Sequence, residues 1–157
     1  MKTTIGITDA NRESVANELA KILADEYVLY TKTKNAHWTI EGSDFYDKHK
    51  FFEEQFGEID AIIDSVAERI RTLGYYVDAM LKSFLSVTQF TEQKREKNDS
   101  AGYLKELLID HETLIMFLRQ NIPVFADDYH DIGTSDFITG LMENHEKMAW
   151  FLRSHLK

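Results

Sequence analysis

The sequence contains no cysteine, one proline and only seven glycines among 157 residues. The lack of cysteine excludes a disulfide framework, a zinc–thiolate site and a thiol nucleophile. No apolar run approaches the roughly 20 residues that a membrane span needs, and residues 1–11 lack the basic and apolar segments of a secretory signal. We therefore expect a cytoplasmic protein without a membrane partner, folded as one domain over residues 1–157.

Positive charge is also scarce, because 18 Lys and Arg face 27 Asp and Glu, for a net charge of -9. The densest basic stretch, KREK at 94–97, is short and is flanked by Glu92 and Asp99. Such a surface repels a phosphate backbone unless its positive charge is clustered. DNA is therefore a doubtful partner, and cations suit this surface better.

Apolar residues recur at three-to-four spacing through most of the chain, which predicts helices. Asp9 and Thr134 are candidate N-caps, and Gly74 is a candidate helix stop. The expected long helices cover about 9–34, 43–73, 100–123 and 134–155, with a short helix in the connection 74–99. Four long helices with one long middle connection predict an all-α antiparallel four-helix bundle.

The second helix has two distinct faces at about 100° per residue. The first is an apolar stripe that consists of Phe52, Phe56, Ile59, Ile63, Val66, Ile70 and Leu73. The second, which we call the acidic face, consists of His49, Glu53, Gly57, Asp60, Asp64 and Glu68. A row of acids is most often only a solvated surface, so that alternative stays open on charge pattern alone.

Gly57 is unusual on this face because glycine inside a helix costs about 1 kcal/mol relative to alanine. A glycine is suitable where another backbone must come close. An identical helix packed antiparallel across a two-fold axis near residue 57 would bring His49 to Asp64 of the partner and Glu53 to Asp60. Imidazoles and carboxylates gathered in this way suit Fe(II), Mn(II) or Zn(II), and a cation would relieve the repulsion among the acids.

Two stretches, NAHWTIEGSDFYDKHKFFEE at 35–54 and DSVAERIRTLG at 64–74, resemble the signature region of the Dps family, the miniferritins of the ferritin-like superfamily. The resemblance extends to the short helix in the middle connection and to EKMAWFL near the C-terminus. It implies a hollow dodecamer of four-helix subunits built from two-fold dimers. Such a cage oxidises Fe(II), with hydrogen peroxide preferred and oxygen possible, stores ferric mineral and protects against oxidative stress.

The resemblance also implies a two-iron centre shared between two subunits, in which the chain acts as a ferroxidase. One subunit would supply His37 and His49, and the other would supply Asp64 and Glu68. Glu53 stands where the family often has aspartate and would be a weaker or second-site ligand. Trp38 resembles an aromatic residue proposed to lie near the iron and to buffer one-electron oxidation.

The stretch ADDYHDIGTSD at 126–136 has two interpretations, a solvated acidic loop or a three-fold pore that attracts Fe(II). Its pore candidates are Asp127, Asp128, Asp131 and Asp136. His111 and His145 lie on apolar stripes and are expected to be hydrogen-bonded core residues. No Glu-x-x-His motif is present, which argues against a metal site inside the bundle.

Two other functions compete with the iron-storing cage. The first is a DNA-condensing stress protein with little ferroxidase activity, although the chain lacks a Lys/Arg-rich tail. The second is a purely structural bundle with an acidic face, which predicts no metal-dependent oxidation and no cage.

Overall fold

The computed structural model describes residues 3–157. The segment 1–11, in which we expect no secretory signal, therefore lies partly outside the described residues, because its first two residues are not included. In chain order the elements are α1 (Asp9–Thr39), α2 (Phe45–Thr72), α3 (Leu81–Val87), α4 (Ser100–Pro123), a π-helical turn (Val124–Asp128) and α5 (Ile132–Ser154). Residues 3–157 form no strand, which confirms the all-α prediction. None of the helices in these residues is long and apolar enough to cross a membrane.

Two helical hairpins make up the bundle. Helix α1 packs along α2, and α4 packs along α5, while the two hairpins meet through the α1–α4 and α2–α5 contacts. Helix α3 lies in the long middle connection, as expected, and packs against α1 with Phe84 as its buried residue. The core lies between the two hairpins and consists mainly of leucine, isoleucine, valine and phenylalanine side chains.

The ends of the first hairpin differ slightly from the prediction. Thr8, rather than Asp9, caps α1 by accepting a hydrogen bond from the Asn11 N–H. Helix α1 continues to Thr39 instead of ending near Lys34, because Ala36 and His37 are buried against the rest of the bundle. The α1–α2 connection is correspondingly short.

Gly74 follows α2 with φ +93, in the left-handed region that glycine enters without strain, which confirms the predicted stop. Helix α4 spans the predicted range. Helix α5 begins at Ile132 rather than Thr134, because Asp131 is its N-cap and accepts a hydrogen bond from the Thr134 N–H at 2.9 Å.

Both faces of α2 lie where the spacing predicts them. The stripe residues Phe52, Ile59, Val66, Ile70 and Leu73 are buried, and Phe56 and Ile63 are half-buried. On the acidic face His49 is half-buried, and the other members are exposed. Packing of the stripe against α1 therefore fixes the rotation of α2 and turns its acids away from the core.

Candidate metal centre

The structure brings His37 and His49 into direct contact at the end of the α1–α2 hairpin that is closed by the short connection between the two helices. Their rings stack with centroids 3.7 Å apart and planes inclined by 20°. His37 Nδ1 lies 2.8 Å from the His49 carbonyl oxygen, and His49 Nδ1 lies 2.8 Å from the His37 carbonyl oxygen. The two residues therefore hold each other through a reciprocal pair of side-chain to backbone hydrogen bonds.

The end of α1 explains why the His37 carbonyl accepts a hydrogen bond from the His49 imidazole. The last four carbonyls of a helix have no partner within it. The N–H that would bond the His37 carbonyl belongs to Glu41, which instead donates to the Asn98 carbonyl at 2.9 Å. The His49 imidazole supplies the missing donor for the His37 carbonyl.

The same hydrogen bonds set the proton positions on both rings. A carbonyl oxygen can only accept, so Nδ1 carries the proton in each neutral imidazole. The Nε2 lone pair of each ring is then left for a metal ion or another acceptor interaction. Histidine ligands are commonly oriented by such a hydrogen bond from the other ring nitrogen.

Two aromatic side chains contact the imidazole pair, of which Phe45 was not singled out in the sequence and Phe56 was predicted only as part of the apolar stripe. Phe45 stacks on His49 with centroids 5.2 Å apart, and Phe56 meets His37 edge-on at 5.2 Å. The four-residue spacing of Phe45 and His49 on one helix was the signal available. Trp38 is 66% exposed, and its ring lies 5.4 Å from the Lys34 ammonium.

Glu53 lies one helical turn beyond His49 and is paired with Lys50. Lys50 Nζ lies 2.7 Å from Glu53 Oε2, and both side chains are about half exposed. This hydrogen bond, followed by the charge of Lys50, lowers the pKa of the Glu53 carboxyl. His37 and His49 make smaller contributions in the same direction.

Asp64 and Glu68 lie far from the imidazoles of their own chain. Asp64 is 15 residues beyond His49, which corresponds to about 22 Å along the helix. Accordingly, no group of three or more His, Asp or Glu side chains within residues 3–157 could hold a metal ion. The structure of one chain unites His37 and His49 and leaves Asp64 and Glu68 apart from them.

Asp64 lies instead on a groove beside the exposed side of α2. Gly57, Asp60 and Asp64 line it together with Tyr27 and Phe84. A Cβ added to Gly57 would meet no described atom within 4 Å, so the packing of residues 3–157 does not itself require glycine there.

The acidic stretch before α5 divides into exposed and buried members. Asp127, Asp128 and Asp136 are exposed. Asp131 is 2% exposed, caps α5 and pairs with Arg69 at 3.2 Å. The Asp131 oxygens are therefore used inside the fold, and its role in a pore stays a prediction.

Comparison with known proteins identifies the fold class of this bundle. A ferritin-like domain matches residues 16–157. The chain is 40% identical over 156 residues to an uncharacterized low temperature-induced protein of Nostoc sp., covering 99% of this chain and 87% of that protein. The class of the fold is therefore a ferritin-like domain.

More specific relatives carry the Dps name. DNA protection during starvation protein 2 of Bacillus anthracis is 33% identical, over 92% of this chain and 97% of that protein. The crystal structure of the Dps protein from Vibrio cholerae O1, described as a member of the ferritin-like diiron-carboxylate superfamily, has a TM-score of 0.88 at 27% identity. That likeness covers 99% of this chain and 100% of the solved chain. The chain belongs to the Dps family.

Proposed function

We propose that the protein is an iron-sequestering miniferritin that oxidises Fe(II) at centres shared between two subunits. The observation that carries this proposal is the reciprocal pairing of His37 and His49, which leaves both Nε2 atoms free for ligation. Membership of a family whose solved members include ferritin-like diiron-carboxylate proteins supports the choice of iron as substrate.

Two neighbouring imidazoles could each supply one nitrogen ligand to a two-iron centre, and the two rings stack with centroids 3.7 Å apart. The neighbouring Glu53 adds a carboxylate within one turn of His49, after its release from Lys50.

The remaining ligands would come from a second copy of the chain. Asp64 and Glu68 are too far along α2 to reach His49 of their own chain. If a second copy of α2 packs antiparallel against the first, Asp64 and Glu68 of one chain would lie beside His49 of the other. The groove at Gly57, open in the single chain, provides room for close approach of the partner. A two-fold axis there would create two equivalent centres per dimer.

The proposed reaction couples two Fe(II) ions to one molecule of hydrogen peroxide. Each iron gives one electron, the O–O bond breaks, and two protons complete two water molecules, so no hydroxyl radical is released. Oxygen is the slower alternative oxidant. His37 and His49 act as neutral nitrogen ligands, and Asp64 and Glu68 balance the metal charge and favour Fe(III).

Assembly and iron entry complete the proposal. Six two-fold dimers would form a dodecameric cage, the form that the family resemblance implies. The exposed Asp127, Asp128 and Asp136 would line an acidic entrance that raises the local Fe(II) concentration. Stored ferric iron would be withheld from peroxide, which protects against oxidative stress.

A complementation experiment tests the shared centre. One variant carries His37→Ala with His49→Ala, and the other carries Asp64→Ala with Glu68→Ala. Each alone should lose fast Fe(II) oxidation by peroxide, followed by ferric absorbance. Mixing, unfolding and refolding them together should restore roughly a quarter of the wild-type centres, because half of the dimers would contain one intact centre of two.

His130→Asn is the matched control, because His130 is exposed and asparagine tolerates its φ of 55. It should oxidise iron at the wild-type rate. Persistent inactivity of the co-refolded mixture, at wild-type assembly by gel filtration, would refute a centre shared between chains. Wild-type activity of the doubly substituted histidine variant would refute the site altogether.

DNA condensation is the weaker alternative. Some relatives are named for DNA protection, but a net charge of -9 opposes binding to a phosphate backbone. A gel-shift assay at physiological salt distinguishes the two functions.

A further inference from the structure

The core contains three ionisable side chains arranged in a line across both hairpins. Glu26 comes from α1, His111 from α4 and His145 from α5, and none is more than 1% exposed. Glu26 Oε1 lies 2.8 Å from His145 Nε2, and His145 Nδ1 lies 2.9 Å from His111 Nδ1. The line therefore crosses the boundary between the α1–α2 hairpin and the α4–α5 hairpin.

This line has the geometry of a proton chain rather than of a metal site. His145 uses opposite sides of its ring for its two partners, so the three side chains do not surround a common point. No metal-binding group of three occurs within the described residues. The second oxygen of Glu26, Oε2, is buried and has no hydrogen-bond partner among residues 3–157.

The hydrogen bonds limit how many protons the line can hold. One proton lies between Glu26 and His145, and one lies between His145 and His111. A third proton on the far nitrogen of His111 makes the line electrically neutral, with a carboxylate, one imidazolium and one neutral imidazole. A fourth proton would leave a net positive charge in the core, and burial of an unpaired charge is strongly unfavourable.

The other charged groups on the packed helices of residues 3–157 do not offset that positive charge directly. On α1, Asp25 is turned toward the α3 side and binds Thr88 and Gln89. On α4, the neighbouring Asp110 is already paired with Lys32 at 2.6 Å. The buried residues of α2 are uncharged, as are those of α5 apart from His145, and the only buried residue of α3 is Phe84.

We propose that the line Glu26–His145–His111 is an acid-sensitive lock that joins the two hairpins and opens when a fourth proton enters. Near the pH at which histidine ionises in an unfolded chain, the neutral line stabilises the contact between the hairpins. In acid, the extra proton is accommodated only when α4 and α5 separate from α1. His37 and His49 lie together on the α1–α2 hairpin, so their pairing does not depend on this lock.

The direction of the pH effect follows from His111. Burial, and then the neighbouring His145, lower the pKa of His111 well below its ordinary value of 6.5. Because the unfolded chain binds the fourth proton more readily than the folded line does, stability falls as the pH decreases below about 6.5. One excess proton in the unfolded state changes the unfolding equilibrium constant about tenfold per pH unit.

The test compares urea unfolding of the wild-type protein, His111→Leu and His130→Asn at fixed protein concentration between pH 6.5 and 5.0. Loss of the His111 proton site should remove about 16-fold from the acid-induced rise of the unfolding constant. The His130→Asn control should retain the wild-type pH slope. An unchanged slope in His111→Leu would overturn the lock.

A second measurement needs no variant. Hydrogen–deuterium exchange at the C2 position of each histidine, read by mass spectrometry, reports imidazole ionisation in the assembled wild-type protein. His111 should exchange as a neutral imidazole at pH 5.5. Titration of His111 near pH 6.5 in the folded protein would refute the lock, without bearing on the iron centre.

Discussion

Replacement of Asp131 separates its structural role from a role in iron entry. The Asp131 carboxylate accepts hydrogen bonds from the Thr134 N–H at 2.9 Å and from Arg69 at 3.2 Å, and a third from the Thr134 hydroxyl. It is 2% exposed, so water cannot take over these interactions. Asp131→Ala removes all three, whereas Asp131→Asn keeps a capping oxygen and removes the charge.

The expected losses follow from the partners. Loss of an N-cap costs about 1 kcal/mol. Loss of hydrogen bonds to a charged group costs about 1.5–3 kcal/mol when buried, and the lower end applies because Arg69 remains 27% exposed. We expect Asp131→Ala to lose about 2–3 kcal/mol and Asp131→Asn about 1 kcal/mol.

Thermal unfolding checks these values, since about 1 kcal/mol corresponds to a fall in Tm of roughly 2–4 °C for a chain of this size. The exposed Asp128→Asn is the control and should change stability by no more than about 0.5 kcal/mol. Iron uptake per folded cage should remain normal in Asp131→Asn. A Tm of Asp131→Ala within about 1 °C of wild type would refute the structural assignment.

Three further predictions concern the dimer, the site and iron entry. Gly57→Leu should prevent assembly, measured by gel filtration, while the helical circular dichroism signal persists. Gly140 also lies in open space, and Gly140→Ala should assemble normally. Assembly of Gly57→Leu would contradict the proposed two-fold contact. Lys50→Met should raise the carboxyl pKa of Glu53 in NMR titration, because the lowering by Lys50 is lost; an unchanged value would show that the ion pair does not form in solution. Asp136→Asn should slow iron uptake at low Fe(II) without changing assembly, and wild-type uptake would argue against an acidic entrance.

Local spacing was sufficient to predict the helices and the two faces of α2. The apolar stripe from Phe52 to Leu73 repeats at the helical period, so the rotation of α2 is encoded within α2 itself. Gly74 is a stop for an equally local reason, since its φ of +93 disfavours other residues. The His-Trp and Asp-x-x-Ala-Glu-Arg motifs are likewise local, and they indicate the family from the order of residues alone.

Helix ends were less predictable because their stabilisation comes from elsewhere in the chain. Helix α1 extends through His37 since the imidazole of His49, 12 positions away, bonds its carbonyl. The start of α5 depends on Asp131, whose carboxylate also holds Arg69 of α2. Neither contact can be inferred from helical spacing near the end that it stabilises.

The sequence by itself determined the class of fold, the family and the identity of the candidate ligands, because periodicity and motif spacing are properties of neighbouring residues. The tertiary structure decided how those residues meet. The register of α1 on α2 brought the two imidazoles into reciprocal hydrogen bonds and left Asp64 about 22 Å away along the helix. The meeting of the two hairpins aligned Glu26, His145 and His111 in the core, since only packing between distant helices fixes which buried side chains share hydrogen bonds.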